Sequence, residues 1–352
     1  MDNLYMQQAV DLAKKGRRKT YRNPLVGAIF VKDKQVIASG YHARYGDKHA
    51  ERMAIDSCST LEELKNSTLY VTLEPCTHFG KQPPCVDSVI ASGVSRVVIG
   101  QSDPNPVVSM KGTQKLREHG IQVDFNDLGQ TVQALNPYYN YYFEHNLPYI
   151  VLKQAISLDG KITAQSGTRT QITGASVNQQ VHDERNEFQA ILVGSETVLV
   201  DNPTLLASGA TNFPSIRVVL DRQGRCLNRP ELNIFNSQAP TWIFTTKKTN
   251  QLLSSNVQLF ENETWTIESV VSYLAKQGVQ SVYVEGGAQI HNQFLAANLF
   301  NELITYVGSE VIGSGGIPSF SGNQANPTSQ AMKLKSVQQF GNDVRIVSER
   351  VE

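Results

Sequence analysis

Short apolar runs alternate with helix-period segments along the first 146 residues. VGAIFV (26–31), LYVTLE (69–74) and VSRVVIG (94–100) have the length and β-branched content of buried strands, and IQVDF follows as another. Helical patterns separate them: an amphipathic N-terminal stretch, MDNLYMQQAVDLAKKG, closing on a glycine, a helix from about His49 to Cys58, one after Pro84, and one leading into IQVDF. This alternation predicts a mostly parallel sheet with helices on its faces. A tyrosine-rich stretch, NPYYNYYFEHNLP, comes next. YIVLKQAIS then begins a fresh set of strands, continued by QAILVGSETVLV, IRVVLD, TWIFTT, QSVYVEGGAQI and ELITYVGSEVIG. The break falls at 146–148 and predicts two α/β domains, 1–146 and 147–352.

Composition narrows the partners. With 40% hydrophobic residues over 352, there is apolar surface for two ordinary cores, which excludes disorder as the main state. Lys and Arg number 32 against 32 Asp and Glu, so no global basic field exists to hold a nucleic acid or an anionic membrane surface. No apolar run approaches 18 residues, and the N-terminus lacks the layout of a signal peptide; a soluble, cytoplasmic chain is expected. Four cysteines, Cys58, Cys76, Cys85 and Cys226, are too few for a disulfide scaffold of this size.

Two of those cysteines carry chemistry. His49-Ala50-Glu51 is followed by Pro75-Cys76 and, after eight residues, by Cys85. One imidazole and two thiolates are three soft or borderline ligands, leaving the fourth tetrahedral position for a water whose pKa zinc lowers to about 7. Glu51 is the proton shuttle such a site needs. The order H-x-E, then P-C and a second Cys follows the zinc-deaminase pattern. A closed structural zinc site is the alternative, and it requires a fourth protein ligand, for which His78 is available. Cys85 follows Pro83-Pro84 at an expected helix start, where the backbone dipole favours thiolate. Cys58 and Cys226 read as small buried hydrophobes.

An eight-residue spacing between the cysteines departs from the two residues of cytidine, adenosine and polynucleotide deaminases. It resembles instead the riboflavin-biosynthesis deaminases, whose segments N-P-x-V-G, H-A-E, T-L-E-P-C-x-H-x-G-x-x-P-P-C and D-P-N-P match Asn23 to Gly27, His49 to Glu51, Thr72 to Cys85 and Asp103 to Pro106. The second half continues the match with LKQAISLDGKITAQSG, VHDERNEFQAILVGSETVLVDNPTL and VEGGAQI. The chain thus resembles the bifunctional deaminase/reductases of that pathway over nearly its whole length. The resemblance implies an N-terminal cytidine-deaminase-like three-layer domain followed by a C-terminal dihydrofolate-reductase-like domain. It implies hydrolytic deamination of a small phosphorylated diaminopyrimidine with Zn2+, then NADPH-dependent reduction of the ribosyl group to ribityl. A homo-oligomer is expected, with neither nucleic acid nor membrane as partner.

Residue roles carry over by the same resemblance. Asn23 is expected to offer its amide to the pyrimidine and His42 to line the pocket, with Lys81, Asp103 and Asn105 holding the ribose and phosphate arm. In the second half, Ala155, Thr197, Asp201, Gly286 and Gly287 are expected along the cofactor, the glycines offering backbone N–H groups at a helix start to a phosphate. Lys153, Arg185 and Glu285 are expected at the substrate. Several positions depart from the family pattern. Arg52 and Met53 follow the HAE motif where an apolar residue and a histidine are usual, Gln171 replaces a tryptophan, Ser208 an arginine, Arg222 a serine and Ser309 a proline. Arg169, where a phosphate-contacting serine is usual, is expected to supply the charge lost at 208. These departures leave open a second reading, a deaminase whose C-terminal domain no longer reduces.

Overall fold

The computed structural model describes residues 1–77, 83–209, 211–249, 253–320 and 329–351. The chain divides into two compact units, Met1–Asn146 and Leu147–Glu352.

In the first unit strands β1 (Gly27–Lys32), β2 (Gln35–Tyr41), β3 (Thr68–Val71), β4 (Arg96–Ile99) and β5 (Gln122–Phe125) form one sheet in the order β2-β1-β3-β4-β5. Helices α1 (Asp2–Ala13), α2 (Ala50–Asp56), α3 (Cys85–Ala91), α4 (Lys111–Glu118), α5 (Gly129–Gln133) and α6 (Pro137–His145) complete it. Strand alternation sorts the side chains into two cores. Phe30, Leu69, Val71, Val97 and Ile99 face α2, α3 and α4. Ile29, Val31, Tyr70 and Val98 face Met6, Ala9 and Val10 of α1. The result is the expected three-layer arrangement.

The sheet is mixed, however, and not mostly parallel: β1 pairs antiparallel with both β2 and β3, and only β3-β4 and β4-β5 are parallel. The β1-β2 hairpin turns on Asp33 and Lys34, both with positive φ (49° and 64°). Two left-handed residues in a row make the tight turn whose twist matches a hairpin. Here they carry none of the usual Gly signal. Strand β3 also ends at Val71, short of the run to Glu74.

In the second unit nine strands form one sheet in the order β11-β10-β9-β8-β12-β6-β13-β16-β15, where β6 is Tyr149–Ile156, β8 Ala190–Gly194, β9 Ile216–Leu220, β10 Thr241–Thr245, β11 Val257–Glu261, β12 Ser281–Val284, β13 Glu302–Val307, β15 Met332–Phe340 and β16 Asp343–Arg350. Strands β7 (Lys161–Thr163) and β14 (Ile317–Pro318) pair separately. The strands from β11 to β13 run parallel, and a β15-β16 hairpin closes one edge antiparallel. Helices α7 (Ala175–Arg185), α8 (Ser195–Asp201), α9 (Ile267–Lys276) and α10 (Ala288–Ala296) connect them. Ile150, Leu152, Leu192, Val218, Val282 and Val284 point to the α9 and α10 side, where Val270, Leu274 and Phe294 close the core. The segment QAILVGSETVLV splits into strand β8 and helix α8. Strand order reverses between β8 and β12, the position at which open α/β sheets bind ligands at the strands' carboxyl ends.

Among the described residues no helix is long and apolar enough to cross a membrane.

Candidate functional sites

His49 is the cap residue that opens α2, so Glu51 falls in its first turn with its side chain buried. The helix sits directly on β2: a Cβ added to Gly40 would lie 2.4 Å from the Ala54 nitrogen. Cys76 lies in the loop beyond β3 and Cys85 begins α3. His49 Nδ1 lies 3.2 Å from Cys85 Sγ and 3.6 Å from Cys76 Sγ, and the three ligand atoms all lie within 4.8 Å of one another. A tetrahedron with metal–sulfur bonds of about 2.3 Å and metal–nitrogen bonds of about 2.0 Å has an N···S edge of roughly 3.6 Å. The donor set and spacing therefore fit zinc. The Cys85 N–H donates to Cys76 Sγ at 3.4 Å. Hydrogen bonds from the Cys85 thiol and from His49 hold Cys76 far below the ordinary thiol range, while the bond to Cys76 and burial push the Cys85 thiol up. Burial and the neighbouring Cys76 charge push the Glu51 carboxyl up, and Glu51 also bonds Cys85. A buried carboxyl with a raised pKa is thus packed beside the three candidate ligands.

Around this centre His42 is buried, and its ring meets that of His49 edge-on with centroids 5.4 Å apart. Its Nδ1 donates to the Lys48 carbonyl at 3.1 Å, so Nε2 accepts from Asn23 Nδ2 at 3.1 Å; burial lowers the ring's pKa. Asn23 and His42 thus act as a pair, with the Asn23 carbonyl unused by any described residue. Asp103 is buried, which raises its pKa, and it accepts from Tyr139 Oη and the Asn105 N–H, each at 2.9 Å. Asn105 in turn accepts from the Val107 N–H. Lys81 and His78 lie outside the described residues.

Sequence reading missed Glu74, in the same TLEPC segment. Its buried carboxylate accepts backbone N–H bonds from Asp103 (3.4 Å), Met110 (3.0 Å) and Thr113 (2.9 Å), tying the DPNP loop and the start of α4 to the cysteine loop. An acidic residue between a strand and a metal ligand was the available signal.

In the second unit Arg185 ends α7 and Glu285 directly follows β12. Arg185 Nε and Nη2 donate to the two Glu285 oxygens at 2.5 and 2.8 Å, and Nη1 donates to the Leu206 carbonyl at 2.9 Å. Burial pushes the Glu285 carboxyl up, but Arg185 and Lys153 more than offset it and leave its pKa below the ordinary value. Lys153, half-buried on β6, is lowered by burial, and its ammonium sits 5.8 Å from the centre of the Tyr306 ring. Ala155 lies one turn of the pleat further on the same strand. Thr197 and Asp201 are half-buried in α8; burial raises the Asp201 pKa while the exposed Arg169 opposes that rise.

Gly286 and Gly287 open α10, as expected. A Cβ on Gly286 would lie 2.5 Å from Ile290 Cβ, so only glycine lets the helix close on the strand end. One on Gly287 would meet nothing within 4 Å, leaving the backbone there open to a ligand. That open helix start flanks the switch point between β8 and β12, a fit for the phosphates of a dinucleotide.

The departures have local accounts. Ser208 donates to Asp183 Oδ1 at 2.5 Å and accepts from Asn186 Nδ2 at 2.8 Å, so it pins its loop to α7. Gln171 donates to the Thr173 carbonyl, Ser309 bonds the Asn342 carbonyl, and the exposed Arg222 uses its carbonyl to accept from Thr246.

Residues 1–101 match the family model of the cytidine and deoxycytidylate deaminase zinc-binding region, and residues 148–346 match that of the RibD C-terminal domain. Riboflavin biosynthesis protein RibD of Bacillus amyloliquefaciens is 39% identical over 99% of this chain and 96% of its own length. Among solved structures, Acinetobacter baumannii RibD has a TM-score of 0.89 at 32% identity, covering 100% of this chain and 99% of that one. A Thermotoga maritima protein described as a diaminohydroxyphosphoribosylaminopyrimidine deaminase/5-amino-6-(5-phosphoribosylamino)uracil reductase has a TM-score of 0.89 at 35% identity, covering 99% of each chain. Similarity at this level across both units means that the chain belongs to the RibD family of riboflavin-biosynthesis proteins.

Proposed function

We propose that this chain catalyses two consecutive steps of riboflavin biosynthesis: hydrolytic deamination of 2,5-diamino-6-(5-phosphoribosylamino)pyrimidin-4(3H)-one in its first unit, and NADPH-dependent reduction of the product's ribosyl group to ribityl in its second. The observation that carries the first step is the cluster of His49, Cys76 and Cys85 with buried Glu51 beside it. Zinc held there supplies the Lewis acidity that makes water nucleophilic at neutral pH. Glu51 accepts the proton that the water sheds and passes it by way of the ring nitrogen to the departing amine, so that ammonia leaves and a carbonyl remains. Asn23, fixed by His42, orients the pyrimidine; Asp103 and Asn105, with Lys81, take the ribose and phosphate arm.

For the second step NADPH supplies the hydride, and the helix start at Gly286 and Gly287, open at Gly287, is with Ala155, Thr197 and Asp201 the proposed place for it. Lys153, Arg185 and Glu285 bind the opened sugar phosphate. The three carry one net positive charge, which suits an anionic substrate. Arg169 supplements that charge from the loop facing Asp201. The chain works on this small phosphorylated pyrimidine and not on nucleic acid, in the cytoplasm and as a homo-oligomer.

The test is incubation of the zinc-loaded protein with the diaminopyrimidine ribosyl phosphate, with and without NADPH. Ammonia release without NADPH, and NADPH oxidation with it, are the expected results. Glu51→Gln retains about one zinc per chain and loses deamination by about 10²-fold or more. Full activity in a metal-free preparation refutes the first assignment, and ammonia release without any NADPH oxidation returns the second unit to the non-reducing reading.

A further inference from the structure

Beside the proposed reductase residues lies a second polar network that no assigned role uses. Strand register places it. On the sheet face opposite α9, Tyr283 of β12 precedes by two residues Glu285, which follows the strand, and Tyr306 of β13 lies diagonally across from Lys153, whose direct partner is Ile304. Arg345 of β16 pairs directly with Tyr306. Residues two apart on a strand share a face, so Tyr283, level with Val151, and Tyr306, level with Ala155, flank Glu285 and Lys153 on that face. Glu184, the residue before Arg185 on α7, reaches both phenols. Its Oε2 accepts from Tyr283 Oη at 2.5 Å, and its Oε1 accepts from Tyr306 Oη at 2.9 Å and Arg345 Nε at 2.7 Å.

Glu184, Tyr283 and Tyr306 are all less than 10% exposed. Burying a carboxylate under two phenols is costly compared with apolar packing of the same volume, so a network of this kind specifies geometry more than it adds stability. The geometry it specifies is visible. Among the described residues Lys153 has no ion pair, and its ammonium lies against the Tyr306 ring. A phenol tethered at its hydroxyl cannot swing that ring away. Glu184 also fixes the last turn of α7, from which Arg185 reaches Glu285.

We propose that Glu184, acting through Tyr306, is a positioning residue for the reduction: it holds the aromatic platform on which the Lys153 ammonium rests, so that Lys153 and Arg185 meet the anionic substrate pre-aligned. This inference rests on the reductase reading above. In this chain the charge that balances Glu184 comes from Arg345, so the platform is tied to the β15-β16 hairpin at the sheet edge.

The experiment measures steady-state reduction by the full-length protein with the deaminated ribosylaminopyrimidine phosphate, together with NADPH affinity by nicotinamide fluorescence. Glu184→Gln and Tyr306→Leu are each expected to raise the KM for the pyrimidine about tenfold while changing kcat less than about threefold and leaving the NADPH Kd unchanged. Tyr306→Phe, which keeps the ring and cuts one bond, falls between them and the parent. A lower melting temperature alone is what a purely structural role predicts; parental KM values in both Glu184→Gln and Tyr306→Leu overturn the proposal. Should Glu184→Gln fail to fold, Tyr306→Leu decides alone. A parent that binds NADPH but never oxidises it with this substrate overturns the reductase reading itself, and this proposal with it.

Discussion

Removing either partner of the Arg185–Glu285 pair should be expensive, and unequally so. The pair makes two charge-assisted bonds at 2.5 and 2.8 Å between side chains 10% and 11% exposed. Breaking a buried pair by deleting one partner costs about 3–5 kcal/mol, because the other charge is left desolvated and unpaired. The surroundings set the asymmetry. Glu285→Ala leaves Arg185 next to the Lys153 ammonium, two cations with no carboxylate between them, which belongs at the upper end of that range. Arg185→Met leaves Glu285 with Lys153 still acting on it, which belongs at about 3 kcal/mol. In the double variant no buried charge of the pair remains, so the cost is less than the sum by about 2–4 kcal/mol. At about 2–4 °C per kcal/mol for a unit of this size, Glu285→Ala lowers the second unit's melting temperature by about 10–20 °C. The assay is thermal unfolding followed by circular dichroism, with loss of NADPH-binding fluorescence reporting the second unit. If Arg185→Met costs as much as Glu285→Ala, or if the two single costs simply add in the double variant, the account of a compensated buried pair beside a third charge is wrong.

Two further outcomes concern groups outside that cluster. Glu74→Ala strands the backbone N–H groups of Met110 and Thr113 and frees the loop bearing Asp103 and Asn105; about 2–3 kcal/mol of stability and about tenfold in deaminase kcat/KM should be lost together, measured by urea unfolding and ammonia release. Undiminished deamination in that variant would show that the tether does not matter to the site. His291 is buried on α10 with its Nδ1 unpartnered among the described residues, and burial pushes its pKa down to about 4. The unfolded state, with an ordinary value near 6.5, takes up the proton first, so the stability present above about pH 6.5 is lost as pH falls towards 4. At 1.36 kcal/mol per unit this amounts to about 3 kcal/mol. His291→Phe should flatten the fall in urea midpoint between pH 7 and pH 4.5; an unchanged slope refutes the assignment.

The candidate zinc site was legible in the sequence because its chemistry is carried by residue types at fixed intervals: His49 and Glu51 at the start of α2, Cys76 after Pro75 in the loop beyond β3, and Cys85 at the start of α3. The Gly286-Gly287 helix start was legible for the same reason, since a glycine demanded by close backbone approach leaves its mark locally. The mixed character of the first sheet was not. It depends on a hairpin through Asp33 and Lys34, whose left-handed backbone is imposed by the pairing of β1 with β2 and not by any turn residue. The β15-β16 hairpin was overlooked although Gly341-Asn342 marks its turn, because β15 is largely exposed and β16 is mostly half-buried, so neither carries a buried apolar run.

What the sequence alone determined is the local part: most element types, the cluster of candidate ligands, and the place near 146–148 where one run of strands stops and another begins. What only the tertiary structure decided is which charges meet. Arg185 and Glu285 are 100 residues apart, Glu184 and Arg345 161, and Tyr139 and Asp103 36. Nothing in their own segments announces those partners, because a charged or phenolic side chain has the same local signature whether it ends in water or against a buried partner. Sheet order and register bring them together, and burial then makes each pairing obligatory, since an ion left alone in the interior costs several kcal/mol.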